Sequence, residues 1–138
     1  MTEQAKKLIR AHEGFRAHPY KCTAGKLTIG YGRNLDDVSI LETEAEHMLG
    51  NDMADCRIDL ARYGFWHGCN EARKSALIDM RYNLGGPRFA GFRKMIAALD
   101  SGSYAVAADE MLDSRWAGQV GLRAKTLADI IRNGAIDI

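Results

Sequence analysis

Glu13, Cys22 and Thr28 follow one another at intervals of nine and six residues. A carboxylic acid, a thiol and a hydroxyl are residue types that suit glycoside hydrolysis. That reaction needs a proton donor beside the leaving oxygen, and a second group that activates or steadies what attacks the sugar. Glu13 falls where the first helix is expected to end, and the negative end of a helix dipole disfavours a charged carboxylate there. A hairpin folding back on that helix end would bring Cys22 and Thr28 to the far side of a bound sugar. On spacing alone, blander roles fit the same three residues: a solvated helix-end glutamate, a small buried cysteine and a β-forming threonine.

Other chemistries find less support. A cysteine peptidase would pair Cys22 with His12 or His18, but no histidine sits in a peptidase-like block. Zinc binding by His67 and Cys69 lacks spaced partner ligands. Gly30-x-Gly32 is not followed by a helix, so it reads as a tight bend near a substrate and not as a phosphate loop.

The elements that would position these residues follow from periodicity. Thr2 can cap a first helix in which Ala5, Leu8, Ile9 and His12 share a face, and Gly14 stops it. Residues 19–35 carry Gly25, Gly30 and Gly32 among apolar and β-branched residues, which predicts a hairpin or small sheet turning at Ala24-Gly25. From residue 43 the period becomes helical. Thr43 with Glu46 reads as a capping box before Ala45, Met48, Leu49, Met53 and Cys56. Asn70 is the expected cap of a helix with Ala72, Ala76, Leu77, Met80 and Leu84 inward, ended by Gly85-Gly86. Shorter helices are expected over 91–99 and 103–112, and a last one from about Leu122 to Arg132, closed by Gly134. Cys56, Cys69 and Trp116 read as core, while Trp66 is equally compatible with core and surface. Strands and helices are segregated, which predicts an α+β fold, mostly helical.

At 138 residues, 46% hydrophobic and 27% charged, the chain suits one globular domain. The three cysteines, an odd number without Cys-x-x-Cys spacing, argue against a disulfide framework. The polar opening suggests no signal peptide, and no apolar run would span a bilayer. Charge alternates by region. Residues 1–35 hold seven Lys/Arg against two acids, residues 36–56 seven acids and no Lys/Arg, and residues 57–94 eight Lys/Arg against three acids. Such basic blocks are either solvated faces or surfaces for an anionic polymer.

Taken together, the blocks His12-Glu13-Gly14, Tyr20-Lys21-Cys22-Thr23 and Leu27-Thr28-Ile29-Gly30-Tyr31-Gly32 resemble the Glu–(Asp or Cys)–Thr pattern of the phage lysozymes of glycoside hydrolase family 24. Ala76-Leu77-Ile78-Asp79-Met80-Arg81-Tyr82-Asn83-Leu84-Gly85 looks like that family's central helix. Ala90-Gly91-Phe92, Ser114-Arg115-Trp116 and the block up to Arg123-Ala124-Lys125 look like its C-terminal lobe. The order is preserved over nearly the whole chain, with a shortened stretch between the β region and the central helix that leaves residues 36–69 unaligned.

The resemblance implies a lysozyme-like α+β domain spanning residues 1–138. A small β-containing lobe of roughly 14–60 would pack against a helical lobe formed by 1–13 and 61–138, with a cleft between. It implies hydrolysis of the β-1,4 bond between N-acetylmuramic acid and N-acetylglucosamine in peptidoglycan, for host cell lysis. Glu13 would be the general acid, Thr28 would hold the attacking water, and Cys22 would replace the second acidic group. Arg123 falls where the family places an arginine paired with the catalytic glutamate. Tyr82 would replace a sugar-contacting aromatic, and Asn34 would line the cleft at a position that is apolar in the T-even branch. An unperturbed thiol ionises near pH 8.5, so Cys22 is read chiefly as a water-positioning partner of Thr28. No cofactor, metal, nucleic acid or stable membrane association is expected, and the chain is expected to be a monomer. It is expected to remain in the host cytoplasm until a separate membrane pore releases it. A non-catalytic peptidoglycan-binding or tail component of the same fold, and a lytic transglycosylase, are the alternatives.

Overall fold

The computed structural model describes residues 2–137, and among these it contains eight helices and one three-stranded sheet. Two compact units divide it, residues 1–48 and 49–138. The division differs from the expected one: the opening helix groups with the sheet, and the boundary falls at 48/49 instead of near 60.

The first unit contains α1 (Thr2–Glu13), with Thr2, expected ahead of the helix as its cap, lying inside it instead. The helix stops where Gly14 takes φ +71°, a conformation that costs glycine little. None of the described α1 residues is buried. The antiparallel sheet follows in the order β1 (Arg16–Lys21), β2 (Leu27–Gly30), β3 (Arg33–Asn34). Strand β1 thus starts before the expected region. Pro19 lies within it, tolerated because β1 is an edge strand and its register slips between Arg16 and Tyr20. The β1–β2 turn is where it was expected. The Gly25 amide donates to the Cys22 carbonyl (2.8 Å), with Gly25 at φ +75°.

Helix α2 (Glu42–Leu60) runs through the unit boundary. Its start departs from the expected capping box. Glu44, not Glu46, supplies the side chain that reaches back, accepting the Leu41 amide at 2.8 Å. The expected inward face also fails: Met48, Leu49 and Met53 are exposed, Ala45 is half-buried, and only Cys56 of that set is buried. Leu60, four residues on, joins it.

The second unit holds the core. A single 3-10 turn at Trp66–Gly68 precedes α3 (Glu71–Leu84). Asn70 caps α3 as expected, its side chain accepting the Arg73 amide at 2.9 Å. Ala76, Leu77, Met80 and Leu84 are all buried and Ala72 is half-buried. Gly85 at φ +81° ends the helix. Then come α4 (Gly86–Ala90), α5 (Arg93–Asp100), α6 (Tyr104–Leu112), α7 (Arg115–Val120) and α8 (Leu122–Asn133). Helix α8 packs on α3 and α6, and α6 on α5. Left-handed Gly134 closes α8, its amide donating to the Ile130 carbonyl at 2.7 Å. Trp66 is buried, which resolves the ambiguity of its sequence position. Trp116 is buried too, and its indole N–H donates to Asn83 Oδ1 at 2.7 Å, which removes the cost of an unpartnered polar atom. Cys56, Cys69 and Cys22 are all free thiols.

Candidate active site

Within the first unit, the end of α1 and the loop between β2 and β3 meet at Glu13. A methyl group placed on Gly32 would lie 2.6 Å from Glu13 Oε2 and 2.9 Å from Cδ. The exposed Glu13 carboxyl therefore lies against Gly32, in the space that a β-carbon there would fill. Gly32 also holds φ +82°, and this angle selects glycine here. Gly32 and Asn34 line a groove of about 1050 Å³ whose other walls include Tyr31, Leu35, Val38, Ile40 and His47.

Cys22 and Thr28 are brought together by strand register. Tyr20 pairs with Thr28, and the Cys22 amide donates to the Lys26 carbonyl at 2.9 Å. Alternate residues share a face, so Cys22 and Thr28 lie on the same side of the hairpin. Thr28 is buried, and its hydroxyl donates to the Lys26 carbonyl at 2.9 Å. The half-buried Cys22 thiol has its pKa lowered. The backbone groups of Lys26 and Ala24 act first, and desolvation opposes them. The cause is thus turn backbone and not the charge of Lys21 or Lys26, the neighbours that sequence reasoning would name.

Asn34 pairs with Thr28 across β2–β3. Its side chain bonds locally: Oδ1 accepts the amides of Asp36 and Asp37 (3.1 Å each), and Nδ2 donates to Asp37 Oδ2 at 2.9 Å. It shapes the groove wall as the pivot of an Asx turn. Beside it, Arg33 forks onto Glu44, with Nη1 to Oε1 at 3.1 Å and Nη2 to Oε2 at 2.9 Å. That partner and the Leu41 amide hold the Glu44 carboxyl below the usual carboxylate range. Neither Arg33 nor Glu44 has a sequence signal: their pairing spans a loop whose path periodicity does not encode.

In the second unit, Arg123 donates from Nε to Asp79 Oδ1 at 2.7 Å, and its Nη2 lies 2.7 Å from the same oxygen as an ion pair. Asp79 is three residues before Tyr82 on α3, so the two share a helix face, and Tyr82 is exposed. Asp79 as the partner of Arg123 was not anticipated from the sequence. The same unit carries a cavity of about 500 Å³ bordered by Arg88, Arg93, Lys94 and Arg115, with Glu110 and Asp113 also at its edge. Among the described residues, no three His, Cys, Asp or Glu side chains gather closely enough to hold a metal ion. No described helix is long and apolar enough to cross a membrane.

Residues 10–132 match the family model described as phage lysozyme. Among curated proteins, the chain is 26% identical to the pre-baseplate central spike protein Gp5 of Enterobacteria phage T4, over 94% of this chain but only 28% of that protein. It is 28% identical to an endolysin of Acyrthosiphon pisum secondary endosymbiont phage 1, over 81% of this chain and 77% of the relative. A probable T4-type lysozyme 2 of Dictyostelium discoideum is 23% identical, over 99% and 98% respectively. The chain thus spans under a third of the spike protein and most of the other two.

Proposed function

Because the chain belongs to the phage lysozyme family, we propose that it is an endolysin hydrolysing the β-1,4 bond between N-acetylmuramic acid and N-acetylglucosamine in peptidoglycan. The observation that carries this reading is the seat of Glu13: a carboxyl at a helix end, resting on a glycine that lines a groove. In the proposed reaction, Glu13 donates its proton to the bridging oxygen as the bond to the anomeric carbon breaks. Thr28 has already spent its hydroxyl proton on the Lys26 carbonyl, so its oxygen lone pairs remain to accept a hydrogen bond from the attacking water. Burial fixes that oxygen in one place. The lowered pKa of Cys22 supports a second acceptor beside Thr28, stronger than an ordinary thiol at the same pH. Tyr82 is the proposed sugar contact of the second unit, where Asp79 holds Arg123. The four cations around the cavity of the helical unit fit recruitment to an anionic wall polymer.

Digestion of purified sacculi followed by mass spectrometry tests the reading. Hydrolysis leaves reducing N-acetylmuramic ends. Exclusive 1,6-anhydro ends would instead establish a lytic transglycosylase.

A second reading is favoured by one observation, the similarity to a central spike protein over 94% of this chain. A domain that binds peptidoglycan as part of a tail would sediment with sacculi without clearing permeabilised cells. We further propose that the protein accumulates in the host cytoplasm and reaches the wall through a separate pore. Fractionation of cells expressing it alone should then find the activity in the cytoplasm, and periplasmic activity would contradict this.

A further inference from the structure

The Glu13 carboxyl lies against Gly32, and the residue covalently next to Gly32 is Arg33. We propose that the Arg33–Glu44 ion pair is a positioning clamp for Glu13, holding the Gly32 backbone at the height where the acid meets it. The inference rests on Glu13 being the acid and adds the device that sets its place.

The geometry has three parts. The first is a fork-to-fork pair, which fixes orientation as well as distance because two parallel N–H···O bonds must be satisfied together. The second is the anchoring of each partner. The backbone of Arg33 pairs with Ile29 across β2–β3, and its Nη1 also reaches the Ser39 carbonyl at 3.4 Å. Glu44 lies in the first turn of α2 and uses Oε1 to hold the Leu41 amide. The pair therefore ties the sheet to the start of α2 across a loop with little regular structure. The third is location. Arg33 and Glu44 both border the groove that Gly32 lines.

What the pair fixes is position more than stability. Its side chains are 35% and 39% exposed, and ion pairs that meet solvent to this degree add little to folding free energy. Position matters here because Gly32 offers no side chain to soften a shift. A displacement of its backbone passes directly to the carboxyl lying against it, and small misplacements of reacting groups carry large rate penalties.

The test uses Glu44→Gln, which keeps an oxygen for the Leu41 amide, together with Arg33→Gln and Arg33→Lys. Steady-state constants are measured on soluble peptidoglycan fragments well below each variant's melting temperature. The two neutralising variants should lose about tenfold in kcat, with KM changed by less than about twofold. Arg33→Lys should lie between them and the parent, keeping the charge without the fork. Unchanged kcat, or a loss carried by KM alone, overturns the clamp. A readout independent of turnover accompanies it: the amide resonance of Gly32 and the side-chain carboxyl carbon resonance of Glu13. Both should shift in Glu44→Gln, and if both stay in place the clamp is wrong even should the protein prove fully active. If they shift while the parent protein cuts no glycan, the clamp geometry stands and the role given to Glu13 falls.

Discussion

At the scale of single residues, the account turns on close approaches that the chain makes through glycine and through turn backbone. Gly32→Ala places a methyl 2.6 Å from the Glu13 carboxyl at a backbone angle that alanine resists. Activity should fall at least about a hundredfold, because the acid must leave its seat. The melting temperature should fall modestly, and full activity in this variant would remove Gly32 from the site. Cys22 gives a second prediction, with its sign set by turn backbone. Its thiol is lowered in pKa, whereas burial raises those of Cys56 and Cys69. Alkylation of Cys22 as a function of pH should therefore have a midpoint below the usual thiol value of about 8.5. A midpoint at or above that value would remove the argument for a thiolate beside Thr28. That Cys22 lies beside Thr28 was legible in the sequence, because strand alternation and hairpin register place them together with little tertiary help, whereas grouping Glu13 with them came from the family resemblance alone. The seat of Glu13 was only hinted at, by two glycines that mark a bend without saying what rests on it.

At the scale of elements, the helices that share one core were the legible part. The Asn70 cap and the Gly134 stop are local signals, read from a few neighbouring residues. The face of α2 was not legible. Met48, Leu49 and Met53 have helical spacing, yet the structure buries only Cys56 and Leu60 of this helix. Periodicity identifies a helix but not how much of its apolar stripe finds a partner. What holds the end of α2 to α3 is polar and equally invisible to periodicity. Arg81 Nε reaches Asp59 Oδ2 at 2.7 Å, and Arg62 bonds the other carboxyl oxygen. Asp59 and Arg81 are 15% and 20% exposed, so removing one partner leaves a poorly solvated charge. Asp59→Ala should cost about 2–3 kcal/mol in chemical denaturation. Arg81 first, then Arg62, holds the Asp59 pKa below its ordinary value. The stability it contributes is therefore complete above the unfolded carboxyl value near pH 4, and it is lost as pH falls through the lower folded value. An acid-unfolding midpoint unaltered by Asp59→Asn would contradict that assignment. At the chain's end, Arg73 donates to the Ile131 carbonyl at 2.7 Å, and a methyl on Gly134 would meet its Nη1 at 2.9 Å. Gly134→Ala should then lower stability by about 1–2 kcal/mol, measured by thermal melting.

At the scale of the whole molecule, family membership, the α+β class and the order of elements agree with one another, and two compact units divide the described chain. The first carries Glu13 on Gly32, with Cys22 and Thr28 in register. The second carries Arg123 on Asp79 beside Tyr82. The central claim remains that Glu13 is the proton donor to a glycosidic oxygen. Release of reducing ends from purified sacculi, followed for the parent protein and for Glu13→Gln at equal folded concentration, tests it most directly. The account predicts steady release by the parent and a loss of at least about a thousandfold in the variant, since the amide has no proton to transfer. Parent-like release by Glu13→Gln would contradict it outright.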